Sequence, residues 1–215
     1  MKLVIQIPCY NEESSLPVTL KALPKKIDGI DEIQVLIIDD GSKDRTVEVA
    51  KELGVENFVI MPHNSGLARA FVAGINKALA LDADIIVNTD ADNQYCADDI
   101  ENLVKPIISG EADIVIGSRP VSEIEHFSPL KKLLQKLGSS VMRLISSTDV
   151  EDAPSGFRAF SRNSAIQLNV FDNYTYTLET IIQARAKGLQ LKCVPIAVNP
   201  DLRESKLVKN MFDYI

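Results

Sequence analysis

The segment Asp90-Ala91-Asp92 sets two carboxylates one residue apart, directly after the apolar run Ile85-Ile86-Val87 and the polar pair Asn88-Thr89. A buried strand that ends this way holds something cationic in the crevice beyond its carboxyl end. Carboxylates unaccompanied by His or Cys suit Mg²⁺ or Mn²⁺, which bind through one or two carboxylates together with the phosphates of a substrate. The ligand implied is a diphosphate. Taken alone, an Asp-x-Asp is more often a solvated loop, so its partners in the fold must decide.

Two further segments can supply those partners. Pro8-Cys9-Tyr10-Asn11-Glu12-Glu13 follows the apolar run Leu3 to Ile7, and Asp39-Asp40-Gly41-Ser42 follows Gln34 to Ile38. A tyrosine ring can stack on a base, and a carboxylate can accept from a base N–H or a ribose hydroxyl. Each segment has a plain alternative, as a helix start or as a turn and cap. Polar residues after parallel strands gather at one edge of a sheet, however, so the three segments are expected to converge with the Asp pair holding a metal against a diphosphate.

The elements that must position them are legible. Leu3 to Ile7, Gln34 to Ile38, Phe58 to Met61, Ile85 to Val87 and Ile114 to Ile116 are short apolar runs, most of them separated by helix-like segments. Helices are predicted over Ser42 to Leu53, Gly66 to Leu81 and Asp98 to Ser109, the last opening on two carboxylates. This alternation predicts an α/β domain with a largely parallel sheet flanked by helices. After Arg119 the pattern changes to a long amphipathic segment and a Pro-Ser-Gly turn, and then a helix over 177–188 and a strand over 189–198 return. The prediction is one domain over 1–215, with a nucleotide-binding half over 1–119 and an acceptor-binding half over 120–215.

Composition narrows the function. A chain of 215 residues that is 46% hydrophobic can bury a full core as one domain. A net charge of −7 argues against nucleic acid as a partner and requires any phosphate-binding cations to be locally concentrated. Cys9, Cys96 and Cys193 are odd in number and far apart, which fits a reduced cytoplasmic protein better than a disulfide framework or a zinc site. His63 and His126 are too few for histidine-based metal chemistry. The apolar N-terminal segment is too short for a signal peptide, and no run approaches the roughly 18 apolar residues that span a bilayer.

The motifs in their order resemble the inverting family-two glycosyltransferases of GT-A fold, which is a Rossmann-like nucleotide-binding fold, and within them the dolichyl-phosphate mannose synthase and polyprenyl-phosphate glycosyltransferase branch. The resemblance runs through Ile-Pro-Cys-Tyr-Asn-Glu-Glu (7–13), Asp-Asp-Gly-Ser-Lys-Asp-Arg-Thr (39–46), Asn64-Ser65-Gly66-Leu67, Asp90 to Gln94, Gly117-Ser118-Arg119, Ser155-Gly156-Phe157-Arg158 and Arg203-Glu204-Ser205-Lys206-Leu207. It implies that Pro8, Tyr10, Glu12 and Asp39 form the base and ribose pocket, with Asn11 and Ala91 in the same donor-binding segments. Asp90 and Asp92, with Gln94 alongside, would hold the metal and the diphosphate of a GDP- or UDP-sugar, and Arg203 and Lys206 would close over it. A leaving diphosphate gains negative charge, which a metal and an arginine can stabilise by several kcal/mol in a dry site.

The acceptor sets the rest of the chemistry, and Asp92, Arg119, Arg158 and Glu179 are the candidate catalytic residues. A lipid phosphate is already anionic and needs positioning by cations, whereas a sugar hydroxyl needs a carboxylate base. Arg119 and Arg158 match family positions near an acceptor phosphate, with Lys131, Lys132 or Lys136 in support. Glu179 lies where hydroxyl-glycosylating relatives carry their base, but Thr180 stands in place of the second carboxylate of their usual Glu-Asp pair, which favours the phosphate.

Leu130, Leu133, Leu134, Leu137, Val141, Leu144 and Ile145 form one helical stripe, with Lys132, Lys136 and Arg143 on the opposite face. Such a stripe either packs on the body or faces a membrane and delivers the lipid phosphate. The segment from Ser205 to Ile215 again has helical spacing and no cap, and relatives of this branch continue into transmembrane helices there. The expectation is therefore a catalytic domain at the cytoplasmic membrane face, cut from a longer protein. Two rivals stand beside it: an Asp-x-Asp phosphatase of the haloacid-dehalogenase type, and a non-catalytic nucleotide-sugar-binding module. The phosphatase pattern has its Asp-x-Asp near the N-terminus and a Thr or Val where Gln94 stands here. Dehydrogenase and P-loop readings fail because neither glycine signature is present.

Overall fold

The computed structural model describes residues 1–120, 150–171 and 176–200. Its strands are β1 (Lys2–Cys9), β2 (Glu32–Asp39), β3 (Asn57–Ile60), β4 (Ile85–Asn88), β5 (Ile114–Ser118), β6 (Arg158–Ser161) and β7 (Leu191–Pro195). The helices among the described residues are α1 (Leu16–Ala22), α2 (Thr46–Glu52), α3 (Leu67–Ala80), α4 (Ile100–Ile108), α5 (Arg162–Gln167) and α6 (Thr177–Ala186). The amphipathic stripe over 130–145 and the segment carrying Arg203 and Lys206 lie outside the described residues.

All the strands join one sheet in the order β3-β2-β1-β4-β6-β5-β7. β1 pairs in parallel with β2 on one side and β4 on the other, so the order reverses at β1 and a crevice opens beyond its carboxyl end. Alternate residues of β1 fill opposite faces of the sheet. Leu3, Ile5 and Ile7 pack with Leu16, Leu103 and Val104, while Val4 packs with Phe71 and Ile75 of α3. The continuously buried β4, whose residues all have apolar or amide side chains, is the pattern of a strand covered on both faces.

Among the differences between sequence and structure, three stand out. The helix predicted from Ser42 begins only at Thr46, because residues 42–45 form a turn tied to the loop after β1. The helix predicted from Asp98 starts as a 3₁₀ turn over Ala97–Asp99 before α4. The third difference matters for function: β6 is inserted antiparallel to both β4 and β5. Since β4 and β5 therefore run the same way, Arg119 leaves the sheet at the edge where Asp90 does, and the segment preceding β6 crosses between them.

Candidate active site

The loops after β1 and β2 are laced together by side chains bonding backbone. Asn11 N donates to Ser42 Oγ at 2.9 Å, Lys43 N to Asn11 Oδ1 at 2.8 Å, and Glu12 N to Thr46 Oγ1 at 2.8 Å. Asn11 adopts the left-handed conformation, with φ of 55°, which Asn tolerates better than most side chains. Asp39 is buried and its two carboxylate oxygens each accept from Ser42 N at 3.3 Å. Pro8 and Tyr10 are half-buried on the neighbouring strand end. Glu12 is turned inward, only 4% exposed, and its carboxylate accepts from Ser15 Oγ.

Asp40, quoted in the motif but given no role from sequence, organises a third loop. Its carboxylate accepts from Ser65 N at 2.7 Å and Gly66 N at 2.9 Å, just ahead of α3, where a negative charge suits the helix dipole. That brings the Asn64-Ser65-Gly66 loop against Gly41, where a Cβ would lie 2.6 Å from the His63 carbonyl carbon.

Asp90 and Asp92 emerge half-buried after β4, and their loop is held from two sides. Thr19 Oγ1 of α1 donates to the Ala91 carbonyl at 2.8 Å, so Ala91 contributes through its backbone. Asp92 Oδ1 accepts from Gln94 N at 3.2 Å, across Asn93 with its φ of 59°. Asn199 donates to the carbonyls of Asn93 at 2.9 Å and Tyr95 at 3.3 Å, while its backbone N–H reaches the Gln94 carbonyl at 2.8 Å. Asn199 was not legible as a site residue, since nothing in Val198-Asn199-Pro200 distinguishes it from a turn. Among the described residues no three His, Cys, Asp or Glu side chains form a metal cage. Two carboxylates at an open edge instead fit Mg²⁺ or Mn²⁺, whose remaining positions go to phosphate and water.

The segment before β6 completes the site. Gly156 lies so close to Asp90 that a Cβ there would sit 3.5 Å from Oδ1. Its N–H donates to Tyr95 Oη at 3.2 Å and its carbonyl accepts from Asn88 Nδ2 at 3.0 Å and Tyr176 Oη at 3.1 Å. Asn88 is in turn fixed by Gln6 Nε2, which donates to its Oδ1 at 2.8 Å. Burial pushes the Tyr95 hydroxyl up to about 12, with Arg119 opposing and Asp90 and Asp152 reinforcing the shift. Burial likewise raises Tyr176 well above the usual phenol value, helped by the charge of Asp90. Both phenols therefore stay neutral donors or acceptors at physiological pH.

Arg119 leaves β5 at this edge and meets Asp152 in a bidentate pair, Nε to Oδ2 at 2.7 Å and Nη2 to Oδ1 at 3.0 Å. Burial works against its charge, but Tyr95, Asp152 and Asp90 outweigh it and raise its pKa, so it is a permanent cation. Arg158 corrects an expectation. It does not face the acceptor side: it is fully buried, with Nε donating to the Ser155 carbonyl, Nη1 to the Thr177 carbonyl and Thr180 Oγ1, and Nη2 to the Ala153 carbonyl, at 2.6 to 2.8 Å. Its place at the start of an inner strand sends the side chain under α6, where burial lowers its pKa. Glu179 is half-buried on α6 and accepts from Phe171 N at 2.8 Å, which ties it to the chain entering that helix.

Around this crevice and its carboxylate pair, the sequence over residues 4–168 matches the family model for glycosyl transferase family 2. The chain belongs to glycosyl transferase family 2. This glycosyltransferase is 33% identical over 211 residues to the UDP-N-acetylglucosamine–dolichyl-phosphate N-acetylglucosaminyltransferase of Methanococcus voltae, covering 88% of this chain and 82% of the relative. It is 30% identical over 218 residues to the undecaprenyl-phosphate mannosyltransferase of Micrococcus luteus, covering 96% of this chain and 88% of the relative. In fold it is similar to glucosyl-3-phosphoglycerate synthase from Mycobacterium tuberculosis, solved with Mn²⁺, UDP-glucose and phosphoglyceric acid, at a TM-score of 0.74 and 19% identity over 95% of this chain and 72% of that one. The GT-A arrangement is thus the one the sequence predicts, and the haloacid-dehalogenase reading gives way to the family match.

Proposed function

We propose that this glycosyltransferase moves a sugar, with inversion, from a GDP- or UDP-sugar to a polyprenyl phosphate at the cytoplasmic face of a membrane. The observation that carries the reading is that the Asp90-Ala91-Asp92 carboxylates and the Arg119 guanidinium, the latter fixed by Asp152, leave the sheet at the same edge. A divalent ion such as Mg²⁺ or Mn²⁺ on Asp90 and Asp92 would, when bound, supply positive charge to the leaving diphosphate. Tyr10 and Asp39 then grip the base and ribose, and Gln94 supports the metal loop. Arg119 attracts the second anion, the acceptor phosphate, and holds its oxygen for attack on the anomeric carbon from the side opposite the diphosphate. No base is needed, because that oxygen carries no proton to remove at neutral pH. The engagement of Glu179 with the Phe171 N–H supports the same choice of acceptor, as do the activities for which the two relatives are named.

By the family resemblance, Arg203 and Lys206, which lie outside the described residues, are assigned as the cations that cover the diphosphate.

The reading is tested by offering labelled GDP-mannose, UDP-glucose and UDP-N-acetylglucosamine with undecaprenyl or dolichyl phosphate and Mn²⁺ or Mg²⁺. Label should pass from one donor into the organic phase, on a lipid whose anomeric configuration is opposite to the donor's. Label released only as free sugar, or transferred only to a sugar hydroxyl, contradicts it.

A further inference from the structure

Asp152 has no role in the chemistry above, yet it is 1% exposed and faces Arg119, the cation assigned above to the acceptor phosphate. Its carboxylate accepts from three N–H groups of Arg119: Nε at 2.7 Å, Nη2 at 3.0 Å and the backbone N at 3.2 Å. The segment bearing it is fixed independently, since Ser118 Oγ donates to Glu151 Oε2 at 3.2 Å and Ser155 N donates to the Asp152 carbonyl at 3.1 Å. Resting on the acceptor assignment above, we propose that Asp152 is a positioning residue that orients the Arg119 guanidinium toward the acceptor phosphate.

The stereochemistry supports this. A guanidinium carries five N–H bonds in one plane, and Asp152 takes two of them along the Nε–Nη2 edge. One Nη1 hydrogen and the second Nη2 hydrogen lie along the Nη1–Nη2 edge, a fork matched to two oxygens of a phosphate. An arginine held this way loses little further rotamer freedom when the anion arrives. A buried ion pair generally adds little to stability over an apolar pair of the same volume, so stability alone gives no reason for this one. The Arg119 side chain keeps 12% of its surface exposed where Asp152 keeps 1%, so the cation and not its partner reaches the open edge.

The test is steady-state kinetics on the full chain, with undecaprenyl phosphate in detergent and whichever of GDP-mannose, UDP-glucose and UDP-N-acetylglucosamine the wild type uses. Asp152→Asn should raise the acceptor KM about tenfold or more and leave the donor KM within about twofold. Arg119→Lys, which cannot fork, should do the same, and Asp152→Asn should add almost nothing on top of Arg119→Lys, because it acts through that residue. An unchanged acceptor KM in Asp152→Asn, or losses that multiply in the double variant, overturns the role of Asp152. If Asp152→Asn does not fold, Asp152→Glu keeps the charge but shifts the fork by one methylene; it must raise the acceptor KM alone, and an unchanged acceptor KM overturns the proposal. A wild type that transfers to no lipid phosphate removes the functional reading as well, so the two failures are distinct.

Discussion

The Thr19 hydroxyl donates to the Ala91 carbonyl at 2.8 Å, so helix α1 holds the middle residue of the carboxylate pair. Both residues are buried, and removing the donor takes the hydroxyl partner from a carbonyl inside the protein. Thr19→Val should therefore lower stability by about 1–3 kcal/mol in urea unfolding. It should also weaken Mn²⁺-dependent nucleotide binding more than metal-free binding, and equal loss in both would show that the bond serves the fold alone.

Gly41 and Gly54 make a matched comparison. Both have positive φ, 74° and 85°, but a Cβ on Gly41 meets the His63 and Asn64 backbone while one on Gly54 meets nothing within 4 Å. Gly54→Ala should cost about 1–2 kcal/mol from the left-handed conformation alone. Gly41→Ala should cost clearly more in the same denaturation experiment and reduce nucleotide affinity, because the Asp39 and Asp40 loops share that contact.

Tyr95 predicts a feature of the alkaline limb. Its hydroxyl is pushed up to about 12 when folded, against roughly 10 for an unperturbed phenol. The folded state thus keeps a proton that the unfolded state loses, and the stabilisation, complete below pH about 10, disappears as pH rises toward about 12. Tyr95→Phe should unfold with a shallower pH dependence over that window. An identical slope in both proteins would contradict the burial assigned to this phenol.

Arg158 fills a different role from Arg119, although one opens β6 and the other follows β5 at the same edge of the sheet. Arg158→Met removes the guanidinium's bonds to the Ser155, Thr177 and Ala153 carbonyls and to Thr180 Oγ1. The expected loss is about 3–5 kcal/mol in thermal or chemical unfolding. Folded Arg158→Lys should keep the acceptor KM of the wild type, whereas a selective rise in that KM would return Arg158 to the acceptor site.

The donor half was readable because strand ends carry their chemistry in sequence: Tyr10, Asp39 and Asp90 each follow a run of apolar residues that only a buried strand explains, and β2, β1 and β4 are neighbours in the sheet. Helix α3, with its long apolar period, agreed with its prediction to within a residue at either end. The acceptor half was not readable for equally physical reasons. β6 is four residues long, opens on an arginine and follows a Ser-Gly turn, so neither its strand period nor its antiparallel direction shows locally. Asp152 sits in Val150-Glu151-Asp152-Ala153-Pro154, which reads as a solvated turn until Arg119 is seen against it. Tyr95, Tyr176 and Asn88 belong to a network joined only by the fold, through residues more than sixty positions apart in sequence such as Asn88 and Gly156.

The central claim is that the edge beyond β1, β2 and β4 binds a nucleoside diphosphate through a divalent ion on Asp90 and Asp92. Isothermal titration of UDP and GDP into the protein with Mn²⁺ and with EDTA, repeated on Asp92→Ala, tests it most directly. The account predicts that one nucleotide binds at least about tenfold tighter with Mn²⁺ and that Asp92→Ala abolishes this difference. Binding of neither nucleotide, or a metal dependence that survives in Asp92→Ala, would contradict it.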